Sequence, residues 1–128
     1  MSPEAYRPFV PARRPGGSPA EKPRYRVLVH RQYLELWNQL VERVGLTNAR
    51  QFYDYAANNP GQPPAVGTTS VLTGKAGRPK IEGNSRTIHY EISGAGRIDF
   101  QYNDAYRGGT QGDPHPVVFV LTIDLGSH

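Results

Sequence analysis

Arg86-Thr87-Ile88-His89-Tyr90-Glu91-Ile92, Ser93-Gly94-Ala95-Gly96 and Arg97-Ile98-Asp99-Phe100-Gln101-Tyr102-Asn103 form the continuous stretch on which the fold turns. Apolar and polar side chains alternate on both sides of a glycine-containing turn, the pattern of a β-hairpin with one covered face. Ile88, Tyr90, Ile92, Ile98, Phe100 and Tyr102 are expected to point inward. Thr87, His89, Glu91, Arg97, Asp99 and Gln101 are expected on the other face. A polar loop over 104–116 then leads to Val117–Leu125, where Phe119, Leu121, Ile123 and Leu125 are expected to share one side.

Before this hairpin lies a glycine-rich basic loop, Leu72-Thr73-Gly74-Lys75-Ala76-Gly77-Arg78-Pro79-Lys80. Residues 75–86 hold four Lys/Arg against one acid, Glu82. Such a loop beside a sheet suits a polyanion, because cations that neutralise phosphates supply much of nucleic-acid affinity. The plain alternative is a solvated surface loop. Residues 60–85 as a whole are Pro/Gly/Thr-rich and long for a connection, a length that points to function or disorder.

Further upstream, Arg24-Tyr25-Arg26-Val27-Leu28-Val29-His30 reads as a first strand. From Arg31 the period changes: Tyr33, Leu36, Trp37, Leu40, Val41 and Val44 make one stripe of an amphipathic helix, ended by Gly45. Thr47 is the expected cap of a second helix with Ala49, Phe52, Tyr53 and Ala56 inward, stopped by Asn58-Asn59-Pro60. Helical spacing assigns Tyr33, Trp37 and Phe52 to the core. The sum is an α+β domain of order β-α-α-β-β-β, an antiparallel sheet packed on a helical hairpin.

The chain has 128 residues, room for one modest domain. Residues 1–23 contain six of the twelve prolines and half of the net charge of +4. With few large apolar groups, they are expected to form a flexible, basic, proline-rich arm dispensable for folding. The arm does not resemble a signal peptide, and no apolar run approaches a membrane span. The domain is then 24–128. Absence of cysteine excludes disulfides, thiolate metal sites and cysteine nucleophiles, and fits a cytoplasmic address. The four histidines lack metal-ligand spacing, and nothing calls for a cofactor.

The order of elements, Leu72-x-Gly74 followed by basic residues, Arg86 leading a strand with Ile88, Tyr90 and Ile92, and the Gly96-Arg97-Ile98 strand start together resemble the RelE/ParE superfamily of toxins from type II toxin–antitoxin systems. Departures are the arm, the insertion at 60–71 and the segment around 104–116. The resemblance implies a toxin with a cognate acidic antitoxin as partner. RelE-like members cleave mRNA on the ribosome, whereas ParE-like members inhibit DNA gyrase without catalysis.

RNA cleavage by a 2′-hydroxyl needs a proton acceptor, a proton donor and positive charge at the phosphorane. By this logic the catalytic candidates are Arg86, His89 and Arg97; the resemblance adds His128, which matches a C-terminal His of some family members, with Asp124 nearby either as its partner or as an ordinary surface acid. Candidates for RNA binding are Lys75, Arg78, Lys80 and Tyr106, the last as a base-stacking ring in the loop. His89 is the best acid/base, flanked by Glu91 and by the strand of Asp99. Its plain alternative is a cross-strand pair on the surface. The leading expectation is thus an mRNA-cleaving, ribosome-dependent endoribonuclease; the alternatives are a non-catalytic gyrase inhibitor and a simple RNA- or protein-binding domain.

Overall fold

The computed structural model describes residues 8–17, 22–64, 68–94, 96–107 and 114–126. Its α+β architecture is a six-stranded mixed sheet with three short helices on one face. The strands are β1 (Phe9–Pro11), β2 (Arg26–His30), β3 (Thr68–Val71), β4 (Ile88–Glu91), β5 (Arg97–Tyr106) and β6 (His115–Asp124). They lie in the order β1-β2-β6-β5-β4-β3.

The sheet is not wholly antiparallel as expected. β2 runs parallel to β6, with Arg26 opposite Val117 and Leu28 opposite Phe119, while every other pair is antiparallel. Both parallel strands are central and covered on two faces. Val27, Leu28 and Val29 are buried in succession, as are Val117, Val118, Phe119 and Val120. Continuous apolar runs are what a doubly covered strand requires.

β1 overturns the flexible-arm expectation for residues 8–17. Phe9 is buried against Phe119, ring centroids 5.0 Å apart. Ala12 N donates to Val27 O, and the Trp37 indole donates to Arg13 O at 2.9 Å. Arg14 forms a two-pronged pair with Asp54, and Arg50 donates to Pro15 O and Gly16 O. Short length and flanking prolines hid the strand, but its partners lie on β2, β6 and the helices.

The expected first helix is broken. A 3-10 turn at Arg31–Tyr33 precedes α1 (Leu34–Asn38), and Gln39 interrupts before α2 (Leu40–Val44). The break leaves Trp37 and Leu40 buried and turns Val41 to solvent. Gly45, at φ 89°, then reverses the chain directly into α3 (Leu46–Asn58). That conformation favours glycine, and it displaces the capping role expected of Thr47, which makes no side-chain cap. α3 buries Ala49, Phe52, Tyr53, Ala56 and Ala57, and it ends before Asn59-Pro60 as the sequence suggests. Phe52 centres the core, edge-on to Tyr90 at 4.9 Å and to Phe100 at 5.8 Å.

On the hairpin, Ile88, Tyr90, Ile92, Ile98 and Phe100 enter the core under the helices, as alternation requires. The last strand departs from the expected single face. A register shift sets Asp99 opposite Thr122 but Phe100 opposite Val120, so Leu121 is the extra residue of a bulge. Phe119 and Leu121 therefore join a second cluster with Phe9, Leu28, Val117, Ile81 and Tyr106 on the far face, while Ile123 and Leu125 pack under the helices.

Candidate active site

Residues 72–85 fold back over the face of the sheet away from the helices. The long connection is therefore structured in its described parts: β3 pairs with β4, and a 3-10 turn occupies Gly74–Gly77. Gly77 is required where the loop tucks inward, because a Cβ there would lie 1.9 Å from Leu72 O. Thr87 N donates to Gly77 O, which ties the turn to the start of β4.

Gln101, expected to point outward, does so and is nevertheless fully buried beneath this loop. Its Oε1 accepts from Lys80 N and from Asn84 Nδ2, both at 2.9 Å. Its Nε2 donates to Arg78 O and to Thr87 Oγ1, both at 3.0 Å. All four hydrogen-bonding positions of the amide are used, as burial demands. Asn103 extends the network by donating to Glu82 O and Asn84 Oδ1. Alternation assigned Gln101 a face but gave no sign of what covers it.

The loop leaves Lys75, Arg78 and Lys80 exposed, and none forms an ion pair among the described residues. Arg86 is also exposed, but its guanidinium is engaged: Nε donates to Leu72 O at 3.0 Å and Nη2 to Gly74 O at 2.8 Å. The residue expected to grip a phosphate thus fastens β3 and the basic turn to β4.

Beyond the loop the same face is open to solvent. Ser70, His89, Asp99 and Thr122 lie directly opposite one another across β3, β4, β5 and β6. His89 Nδ1 meets Asp99 Oδ1 at 2.5 Å, with the two side chains 22% and 24% exposed. Because a carboxylate only accepts, Nδ1 carries the hydrogen. In the neutral ring the lone pair is then on Nε2, the arrangement of an oriented general base.

Arg97 is exposed on this face, opposite Glu91 on one side and Asp124 on the other. Glu91 accepts from Thr68 Oγ1, and Asp124 accepts from Gly126 N. Three carboxylates therefore share the open area with Arg97 and His89, and the cationic charge is concentrated on the loop beside it. Tyr106 is not free in a loop. It ends β5 and packs edge-on against Phe119 at 5.1 Å and against His115. His128 lies outside the described residues.

No cluster of three or more metal-ligating side chains occurs among the described residues, and no helix there is long and apolar enough to cross a membrane. Compared with known families, curated proteins and solved structures, the chain has no significant match.

Proposed function

We propose that the protein is the toxin of a toxin–antitoxin pair and cleaves mRNA as an endoribonuclease, acting in the cytoplasm on ribosome-bound message until a cognate acidic antitoxin silences it. The observation that carries this reading is the His89–Asp99 pair: an imidazole oriented by a carboxylate, partly exposed, beside a loop with three exposed cations. The order strand, helical hairpin and three-strand meander, with β1 and β3 set aside, is in keeping with the RelE/ParE resemblance.

In this reading Nε2 of His89 takes the proton of a ribose 2′-hydroxyl. The 2′-oxygen bonds to phosphorus, the bond to the 5′-oxygen breaks, and that oxygen leaves with a proton drawn from water, while His89 returns the 2′-hydroxyl proton to solvent. Asp99 holds the ring and stabilises the imidazolium while the proton is on it. Arg97, two residues from Asp99 on the same face, supplies charge to the phosphorane, and Lys75, Arg78 and Lys80 bind flanking phosphates. Arg86 is a positioning residue for the loop.

A second reading, the non-catalytic gyrase inhibitor, draws support from Glu91, Asp99 and Asp124 on the open face, which oppose a phosphate there. Induced expression with mapping of new mRNA 5′ ends, beside a supercoiling assay on purified gyrase, separates the two. New ends with unaffected supercoiling are expected; the reverse would select the gyrase reading. Neither effect would leave a binding domain.

A further inference from the structure

The sheet ends differently at its two edges. β1 is flanked by Pro8 and ends in Pro11, and proline offers no amide to an incoming strand. β3 has no proline, charge or bulge. Thr68-Thr69-Ser70-Val71 is β-branched at three positions, and among the described strands it pairs with β4 alone.

Leu72 N donates to Thr87 O at 2.9 Å, so the Leu72 amide faces β4. Alternation along an antiparallel ladder then turns the amides and carbonyls of Thr69 and Val71 outward. Val71 is 59% exposed, more than any other large apolar side chain described. The edge also has electrical direction. Glu91 accepts from Thr68 at one end; Lys75 and the loop-bound guanidinium of Arg86 stand at the other.

We propose that the outer edge of β3 is a docking site for an extended segment of a partner protein. That segment is β-branched where it pairs with Thr69 and Val71, and acidic where it passes Lys75 and Arg86. Main-chain bonds supply the affinity, cover over Val71 adds apolar burial, and the charge at one end fixes direction and register. The inference does not rest on RNA cleavage. It would stand if His89 proved inert.

The test uses the labelled full-length chain and an eight-residue peptide of alternating valine and threonine with two glutamates at one end. Exchange at the Thr69 and Val71 amides should slow by about tenfold or more at saturation. Added salt should weaken binding. Val71→Pro removes an outward amide that β4 does not use, so it should abolish binding with the fold retained. Lys75→Glu, at an exposed position, should weaken binding severalfold and covers the case in which the proline variant misfolds. Unchanged exchange at Thr69 and Val71 would overturn the proposal, as would equal binding of a peptide with lysines in place of the glutamates. A concentration-dependent dimer abolished by Val71→Pro would also overturn it, by assigning the edge to a second copy.

Discussion

Gln101 lies beneath the basic loop and binds the main chain of Arg78 with its amide nitrogen and that of Lys80 with its amide oxygen. A neutral, buried side chain thus holds the two cations at a fixed place over the sheet. Charge on the loop and order in the loop come from different residues.

Gln101→Leu keeps the volume but leaves four partners unsatisfied under the loop. Stability should fall by on the order of 3 kcal/mol. Amide exchange over 78–85 should quicken more than exchange in the helices. Urea unfolding and site-resolved exchange check both; an unchanged midpoint would mean that the loop is held by other contacts.

Residues 8–17 should matter to folding, contrary to the flexible-arm expectation. Phe9→Ala empties a buried site against Phe119 and should cost about 3 kcal/mol. Asp54→Ala removes a partly exposed pair with Arg14 and should cost about 1 kcal/mol or less. Thermal unfolding of the two variants checks the ranking, and a harmless Phe9→Ala would show that β1 contributes little.

Alkali should destabilise the domain. Burial of the Tyr25 ring, with its hydroxyl donated to Asp104, pushes its pKa from 10.0 up to about 12. Burial likewise raises Tyr53, Tyr55 and Tyr90. The native state holds these phenolic protons more tightly than the unfolded chain does. For Tyr25 this stabilisation is present below pH 10.0 and is lost as pH rises through about 12. Tyr25→Phe should flatten the fall in stability over that window, measured by urea midpoints at successive pH values.

Arg86→Ala should act on the loop before it acts on RNA. Losing two hydrogen bonds to Leu72 O and Gly74 O should lower stability by about 1 kcal/mol and loosen 72–77. Arg86→Lys should restore neither contact fully, since an ammonium lacks the planar fork. Cleavage measured beside amide exchange distinguishes this from direct phosphate binding, in which activity falls with the loop unchanged.

The hairpin was legible because alternation over 86–103 has no rival period, and α3 because Asn59-Pro60 marks its end. The helix break at Gln39 has no local signal. The parallel pairing of β2 and β6 did leave one, in Val27-Leu28-Val29 and Val117-Val118-Phe119-Val120, since runs buried on both faces belong at a sheet's centre. Ile123 and Leu125 part from the face of Phe119 and Leu121 only because a bulge intervenes, and single-strand periodicity cannot show a bulge. At the site, the proximity of His89 and Asp99 followed from hairpin register. The engagement of Arg86 did not, because its acceptors are main-chain carbonyls 12 and 14 residues away.

The most direct test is RNA cleavage by purified, folded His89→Ala on programmed ribosomes, compared with the wild type and with Asp99→Asn. Loss of a general base typically costs about 10²–10⁴ in rate. His89→Ala should fall by that order with RNA binding nearly unchanged, and Asp99→Asn should fall less. If His89→Ala cuts as fast as the wild type, the pair is surface structure and the catalytic account is wrong.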